Sequence, residues 1–403
     1  MGGERVPSAD WATDLDHADP RYNRDAHRIW DELREGGCPV ARSERYGGMW
    51  APLTHELVHE VAYDTDHFTS RGVIVSTTRP IIPAPVGPAP PITSDPPFHQ
   101  IARRLLLPAF SPKAIDPWEA DVRTLCNDLL DRMGDVTPGE TVVDAAVQYA
   151  QSIPVNVIAR MLGFPTEDEA IFRGFVHDVI ENVDLPPEER LASFQPLDEY
   201  LDRQIQDHLA NPRDDLTSYL MNVELDGNKL AYEHVRGSIV LLLIAGIDTT
   251  WSAIGSSLWH LATNPDDLAR LQGDPDVMLF AVEEFLRAYA PVTMARLVRD
   301  DYDFHGCPMK ADEWVLLPFP AANRDPAFFE RADEFVIDRA ENRHAAFGLG
   351  IHRCVGSNLA RLELRVAVEE FVRRFPRFEL AGEVGWSVGQ IRGPRSLPVR
   401  VLG

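Results

Sequence analysis

The chain has 403 residues, 44% of them hydrophobic, and a formal net charge of −24. Because phosphate binding needs basic patches, so acidic a chain is not expected to have a nucleic-acid partner. It contains no run of about 18 apolar residues and no apolar segment typical of a signal peptide, so we expect no membrane anchor and a cytoplasmic location. The four cysteines include no Cys-x-x-Cys pair, which disfavours zinc or a disulfide framework and fits a reducing compartment.

The beginning of the chain is polar, acidic and without periodicity. Residues 1–20 are therefore predicted to be a flexible segment, followed by a single domain over 21–403. A helical pattern starts at Arg21 and ends at a pair of glycines, residues 36–37. Short strands are predicted near residues 48–51 and 73–75.

Eight prolines lie between Pro80 and Pro97. Such a segment cannot form a helix or a central strand. Its composition favours an ordered loop or a mobile lid over a pocket, and a linker between domains is the alternative. From about Phe98 the pattern is helical as far as Trp259 and beyond.

The segment from Ser238 to Thr250 is apolar on nearly every face up to Ala245, as in a helix that crosses a core. Gly246 is then expected to interrupt this helix and to open its backbone ladder. An acid, Asp248, and an alcohol, Thr249, follow, and such a pair can relay protons. The alternative is a core helix with a tolerated glycine and a satisfied carboxylate.

A new helix is predicted to start at Asn264-Pro265, where a capping residue precedes a proline. The apolar period falls to two near residues 300–317, and the last 25 residues read as hairpins. The predicted fold is mainly α with small β-sheets, of a size that fits an enzyme with one cofactor.

The segment 347–356, Phe-Gly-Leu-Gly-Ile-His-Arg-Cys-Val-Gly, combines a cysteine with glycines that permit close backbone approach. Phe347 can pack on a flat cofactor, and Gly348 and Gly356 permit turns on either side of Cys354. A helical pattern begins directly after it, and helix N-terminal amides stabilise a thiolate. A lone cysteine is more often a buried small hydrophobe.

This segment, Phe-Gly-x-Gly-x-His-x-Cys-x-Gly, resembles the haem-binding loop of the cytochrome P450 family. The resemblance implies that Cys354 is the axial ligand of the iron of haem b and that Phe347, Gly348 and Gly356 contact this cofactor. It also implies a P450 fold in which the haem is buried between a long central helix and the helix after the cysteine loop.

The stretch Ala245-Gly-Ile-Asp-Thr-Thr250 resembles the oxygen-activation motif of the same family. The resemblance implies that Thr249 is the alcohol near bound dioxygen and that Asp248 is the acid that supplies protons. It favours O2 and electrons from a partner over a peroxide-using enzyme, because peroxide specialists of the family typically replace this pair.

A haem has two carboxylates that need cationic partners when they are buried. His99 and Arg103 are four residues apart and lie on one helix face. Together with Arg296 and His352 they match positions that contact the propionates in bacterial P450s. Each of these residues alone would be read as a surface base.

Glu284 and Arg287 are three apart on a predicted helix and can pair. Taken alone, this spacing is common and indicates a surface ion pair of little value. It resembles the Glu-x-x-Arg motif of the family, for which Arg339 matches the third, structural member.

The resemblance also places the substrate against a lid around residues 73–92 and several apolar positions. The pocket residues it implies are Ile244, Ala245, Val292, Ala295 and Ile391. Their apolar character favours a small hydrophobic or amphipathic organic substrate.

The chain has no flavin or iron–sulfur signature, so electrons are expected from a ferredoxin that an NAD(P)H-dependent reductase reduces. Basic residues near the cysteine loop either steer this acidic partner or form an ordinary solvated surface. They are Arg104, Arg343, Arg353, Arg361 and Arg365. We expect a monomeric haem-thiolate monooxygenase that inserts one oxygen atom from O2 into its substrate. The alternatives are a peroxide-driven haem peroxygenase and a non-catalytic haem sensor or binding protein.

Overall fold

The computed structural model describes residues 7–37, 39–77, 79, 87–181, 185–225 and 228–403. Over these residues the chain forms fifteen α-helices and fourteen short strands. The helices are Pro20–Glu35 (α1), His55–Tyr63 (α2), Phe98–Leu106 (α3), Pro112–Ile115 (α4), Trp118–Arg132 (α5), Ser152–Leu162 (α6), Glu169–Ile180 (α7), Pro187–Ser193 (α8), Gln195–Ala210 (α9), Leu216–Asn222 (α10), Tyr232–Thr263 (α11), Pro265–Gly273 (α12), Met278–Ala288 (α13), Phe319–Ala322 (α14) and Ser357–Arg374 (α15).

The strands are Val40–Ser43 (β1), Met49–Pro52 (β2), Phe68–Thr69 (β3), Val142–Asp144 (β4), Glu224–Leu225 (β5), Asn228–Lys229 (β6), Thr293–Val298 (β7), Tyr302–Phe304 (β8), Cys307–Met309 (β9), Trp314–Pro318 (β10), Phe378–Leu380 (β11), Gly385–Trp386 (β12), Pro394–Ser396 (β13) and Pro398–Val401 (β14). The largest sheet has the order β1-β2-β10-β7-β3, with β2 and β10 parallel and the other neighbours antiparallel. A second sheet has the order β11-β14-β4, and the pairs β12–β13, β5–β6 and β8–β9 form two-stranded ribbons. The prediction of a mainly helical fold with small sheets is confirmed.

The core is built around α11, whose 32 residues pack against α6 and α15. By length and composition α11 is the one helix in the described residues that could cross a membrane, but 72% of its most apolar window is buried inside the protein. It is therefore accounted for as a core helix. Gly246 does not interrupt it, contrary to the prediction. A Cβ at Gly246 would lie 3.2 Å from Cγ1 of Ile158, so the glycine allows α6 to approach α11 closely.

Local signals account for several element boundaries. Asp19 caps α1 by accepting a hydrogen bond from the Arg21 N–H, as expected for a residue that precedes a helix. The strand predicted at residues 73–75 is absent. Instead, the Val75 N–H donates to the side-chain oxygen of Gln390, whose amide nitrogen donates to the Val73 carbonyl. One side chain thus takes the place of a neighbouring strand.

The segment 1–20, predicted to be flexible, is described from residue 7 onward. Within it Leu15 is buried in a core cluster, and Asp14 and Asp16 pair with Arg45 at 2.5 and 2.9 Å. These contacts hold residues 14–19 against the domain. Composition could not reveal this because the cationic partner lies some thirty residues farther along the chain.

The proline-rich segment is described in its second half, from residue 87, while residues 80–86 lie outside the described residues. The Ser238 hydroxyl donates to the Pro90 carbonyl at 3.3 Å, and a Cβ at Gly237 would lie 2.5 Å from the Pro88 carbonyl oxygen. This half is therefore packed on the N-terminal part of α11. Its function as a lid stays a prediction.

Candidate active site

The cysteine loop is short and closely packed. The Cys354 N–H donates to the Phe347 carbonyl at 2.7 Å, and Gly348 and Gly350 have φ angles of 74° and 67°. A Cβ at Gly350 would lie 2.3 Å from the carbonyl oxygen of Ala62, at the end of α2. Only glycine fits there, because both the φ angle and the close approach disfavour a side chain.

The thiol of Cys354 is exposed, yet burial among neighbouring protein atoms raises its pKa. A side chain that is both exposed and desolvated borders a cavity rather than bulk water. The Gly356 N–H and the charges of Arg103, Arg353 and Arg361 act in the opposite direction and lower the pKa. These groups favour the thiolate, which is the form that binds metals.

The four predicted propionate-binding residues come together beside this loop. The rings of His99 and His352 are 4.3 Å apart, edge to face. His352 Nε2 lies 2.8 Å from the hydroxyl of Ser70. Burial, together with the charges of Arg103 and Arg296, lowers the pKa of His99 to about 4. The same three causes and His99 itself lower the pKa of His352 well below its usual value.

Several polar atoms in this cluster lack protein partners. His99 is 1% exposed, and neither of its ring nitrogens has a hydrogen-bond partner among the described residues. Arg296 is 4% exposed, burial lowers its pKa to about 10, and its Nη1 donates to the Ala295 carbonyl. Buried polar groups with free donors need acceptors from a ligand or water. The donor set fits the two carboxylates of a haem.

The predicted acid and alcohol lie on α11. Asp248 is 1% exposed, and burial raises its pKa. The Thr249 hydroxyl donates to the Ala245 carbonyl at 2.9 Å. The Asp248 carboxylate is bonded by Arg395, whose Nη2 lies 2.8 Å from Oδ1 and 3.0 Å from Oδ2.

Arg395 was missed from the sequence. It lies at the centre of β13, 147 positions from Asp248, and no local spacing connects the two. The single available signal was general, because a buried carboxylate needs a cationic or hydrogen-bonding partner.

The predicted pocket residues differ in how exposed they are. Ala245 is exposed although it lies on a core helix, so it borders open space. Val292 and Ile391 form an isolated β-bridge with each other, and Val292 is half-buried. Ile244 is enclosed by protein and only 7% exposed.

Ala295 does not line an open pocket in the structure, contrary to the expectation. It is fully buried in a core cluster with Leu297 and Trp314. Neighbouring residues of a strand face opposite sides, and on β7 the next residue, Arg296, faces His99 and His352. Two consecutive residues of β7 therefore face different environments: Ala295 faces the core cluster, and Arg296 faces the two histidines.

The predicted structural residues form one buried network. Glu284 and Arg287, both on α13 and both fully buried, pair at 2.8 Å. Arg339 Nε donates to Glu284 at 3.0 Å, and Arg287 Nη1 donates to the carbonyls of Asn323 and Ala332. The network ties α13 to the segment that leads into the cysteine loop.

The five basic residues predicted to form a patch do not share one environment. Arg361 pairs with Glu283 at 2.6 Å and covers the Phe347 ring at 4.4 Å, and Arg365 pairs with Glu119 at 2.6 Å. Both are neutralised by acids that come from other helices. The exposed members are Arg104, Arg343 and Arg353.

An open cleft of about 400 Å³ lies between α3 and the cysteine loop. It is lined by His99, Gln100, Arg103, Arg104, Leu107, Gly350 and Ile351. Leu107 is 46% exposed, so this outer face combines an apolar side chain with positive charge.

Comparison with known proteins agrees with this geometry. The family model for cytochrome P450 matches residues 49–384. The chain is 31% identical to cytochrome P450 107B1 of Saccharopolyspora erythraea, over 96% of this chain and 98% of that protein. It is 32% identical to a steroid C26-monooxygenase of Mycolicibacterium smegmatis, over 98% and 96% of the two chains.

Solved structures show the same likeness. CYP109E1 from Bacillus megaterium, in complex with testosterone, superimposes with a TM-score of 0.85 at 28% identity, covering 95% of this chain and 99% of that one. The myxobacterial P450 CYP267B1, in complex with myristic acid, gives 0.83 at 28% identity, covering 95% and 98%. The chain belongs to the cytochrome P450 family. It is a monooxygenase whose cofactor is haem b.

Proposed function

We propose that this P450 inserts one oxygen atom from O2 into a small hydrophobic or amphipathic substrate, with electrons from a ferredoxin. The observation that carries the proposal is the buried acid Asp248 directly before Thr249 on α11. A chain that receives peroxide needs no such proton source, so this pair favours the O2-dependent reaction over the peroxygenase alternative.

In this proposal Cys354 binds the iron, and His99, Arg103, Arg296 and His352 bind the propionates. Phe347, Gly348 and Gly356 shape the loop against the cofactor. When bound, haem supplies oxygen activation, and a thiolate ligand favours cleavage of the O–O bond. Thr249 would hold a proton at its hydroxyl on α11, and Asp248 would replenish that proton.

The substrate class rests on the character of the pocket. Ala245 lies on α11, Val292 and Ile391 pair in an isolated β-bridge, and all three are apolar. Apolar lining with few polar groups is typical of sites for hydrophobic ligands. Two structural relatives were solved with testosterone and with myristic acid, which are ligands of this kind.

The donor is proposed to dock on the face that carries the cleft beside the cysteine loop. Arg104 and Arg353 are exposed there, and Leu107 adds an apolar contact. Positive charge near the cofactor on a chain of net charge −24 would steer an acidic ferredoxin. We further propose that residues 21–403 act as one monomeric, cytoplasmic domain.

The proposal is tested by a substrate-library screen for the spin-state shift of the ferric protein, followed by turnover of each hit with a ferredoxin, its reductase and NADH. Product that requires O2 and ferredoxin supports the proposal. Equal turnover with hydrogen peroxide alone would instead make the protein a peroxygenase. Ligand binding with no product from any electron source would make it a haem sensor.

A further inference from the structure

Arg395 is shared between two carboxylates from different parts of the fold. Its Nη2 bonds Asp248 on α11, and its Nε bonds Oε1 of Glu181 at 2.7 Å. Its Nη1 donates to the Ser252 hydroxyl at 3.2 Å, and its guanidinium lies 4.4 Å from the centre of the Trp251 ring. The side chain is 18% exposed, so these contacts are largely sheltered from solvent.

Glu181 places the end of another helix in this network. It is the C-terminal cap residue of α7, and its Oε2 lies 2.9 Å from Nδ1 of His177, one turn earlier. The hairpin that carries Arg395 reaches the same place, because a Cβ at Gly389 would lie 3.8 Å from the Ile180 carbonyl oxygen. The end of α7, the hairpin and α11 therefore meet at Arg395.

The hairpin is also held firmly against α11. A Cβ at Gly393 would lie 2.3 Å from Cβ of Ser252, and a Cβ at Gly255 would lie 3.3 Å from Cδ of Pro394. Arg395 follows these close contacts directly. These contacts fix the backbone of Arg395 relative to Asp248, whereas Glu181 reaches Arg395 from the end of α7.

We propose that Arg395 is a positioning residue that couples the charge of Asp248 to the position of the C-terminal end of α7, through Glu181. This inference deepens the proposed function, because it assumes that Asp248 supplies the proton. It adds a role for Arg395 and Glu181, neither of which belongs to the acid–alcohol pair.

The coupling follows from the charges around Arg395. Both carboxylates bond this one arginine, through different nitrogens, so the charge of each acts on the other. The charge of Arg395 lowers the pKa of Asp248, and the charge of Glu181 raises it. When α7 holds Glu181 in place, Asp248 picks up a proton more readily. When α7 withdraws Glu181, Arg395 pairs with Asp248 alone and keeps it ionised.

The groups that face Asp248 come from three elements. Arg395 lies on β13, Ser252 lies one turn farther along α11, and Glu181 ends α7. His177, on α7, contacts Glu181 rather than Asp248, and its side chain is 58% exposed.

The first test is the pH dependence of coupling, measured as product formed per electron, in the haem-loaded enzyme with ferredoxin. Arg395→Gln should move the midpoint of the acid–base profile up by about one pH unit, since a neighbouring guanidinium lowers a carboxyl pKa by roughly one to three units. Glu181→Gln should move the midpoint down, and Arg395→Lys should restore most of the original profile. A residue with a purely structural role would not give shifts of opposite sign.

Matched controls remove the same charges elsewhere. Arg173→Gln changes an arginine of α7 that pairs with Glu169 and is not among the groups that act on Asp248. Glu199→Gln removes an exposed acid on α9. Neither control should move the midpoint.

The second test needs no turnover. In infrared spectra of the ferric protein recorded across a pH titration, the protonated carboxyl band of Asp248 should persist to higher pH in Arg395→Gln than in the wild type. The band should disappear when Asp248→Asn is added. Hydrogen–deuterium exchange at the amides of residues 177–181 should be faster in both Arg395→Gln and Glu181→Gln, because each loses the bond that holds the end of α7.

Shifts of the same sign in Arg395→Gln and Glu181→Gln, or none, would overturn the coupling while leaving Asp248 as the acid. If Asp248→Asn itself leaves product per electron unchanged, the proposed proton source fails instead. In that case the infrared band and the exchange rates still decide whether Arg395 links Asp248 to α7.

Discussion

The buried acids on the two sides of the cofactor site, Glu284 and Asp248, have different sets of cationic partners. Below the cysteine loop, Glu284 is bonded by Arg287 and Arg339, and both members of the central pair are fully buried. On α11, Asp248 shares a single arginine with a second acid whose side chain is 22% exposed. In the first arrangement two arginines bond one acid, whereas in the second one arginine bonds two acids through different nitrogens.

The difference suits a structural role for the Glu284 network and a chemical role for Asp248. Removing one partner of a fully buried pair is costly, because the other charge is left uncompensated. An acid that shares one arginine with a second acid has less compensating charge. Perturbed carboxylates of this kind are common at functional sites.

The largest effect is expected from replacing Cys354, the proposed ligand of the iron. Cys354→Ser should abolish the absorption of the reduced carbon monoxide complex that is characteristic of thiolate ligation, and turnover with it. Cys307→Ser, on the short strand β9, should leave both unchanged. A Cys354→Ser protein that kept the thiolate spectrum would show that another residue is the ligand.

The structural role of the Glu284 network is tested by Glu284→Ala. Leaving Arg287 buried without its partner should lower the free energy of unfolding by about 3–5 kcal/mol. Denaturant unfolding of the haem-loaded protein measures this loss. The matched control is Glu32→Ala, which breaks the exposed pair with Arg28 and should cost less than about 1 kcal/mol. Similar losses in the two variants would contradict the contrast in burial.

The chemical role of the acid–alcohol pair on α11 is tested by Thr249→Ala. Loss of the hydroxyl should lower product formed per electron by up to about 100-fold, the lower end of what a positioned proton donor contributes, and divert electrons to hydrogen peroxide. Thr263→Ala is the control, because its hydroxyl makes the same bond to the carbonyl four residues earlier on α11. Unchanged coupling in Thr249→Ala would remove its proposed role.

The helix after the cysteine loop carries a buried acid that has no cationic partner among its described contacts. Glu363, on α15, is 2% exposed, its Oε2 has no hydrogen-bond partner among the described residues, and burial raises its pKa from 4.5 to about 8. The folded state holds this proton more tightly than the unfolded state. Its contribution to stability is therefore complete below pH 4.5 and is lost as pH rises toward 8.

Glu363→Gln should remove that dependence, since the amide does not titrate. Between pH 5 and 8 the wild type should lose up to about 1.4 kcal/mol per pH unit relative to the variant. Urea unfolding across this range measures the difference. The two proteins should run parallel below pH 4.5, and a constant offset at every pH would show that Glu363 does not titrate on unfolding.

Local patterns carried the sequence-based prediction well. The cysteine loop, the acid and alcohol on α11, and the pair Glu284 and Arg287 each occupy a few consecutive positions, where spacing determines which side chains share a face. The structure brings these residues together as local geometry requires.

Contacts between distant segments were not accessible in this way. The bond from Arg395 to Asp248 and the pairing of Arg361 with Glu283 join residues 147 and 78 positions apart. The burial of Ala295 depends on the register of β7 in its sheet. Register and long-range ion pairs are set by the assembled fold, and a pattern of residue types does not encode them.

The two ring nitrogens of His99, which lack hydrogen-bond partners among the described residues, affect how stable the chain is before haem binds. A protein with buried polar atoms that lack protein partners is less stable before a cofactor binds to them, and binding adds stability that grows with the logarithm of the free cofactor concentration. Haem supply in the cell would then set how much of this protein survives quality control, before any substrate reaches it.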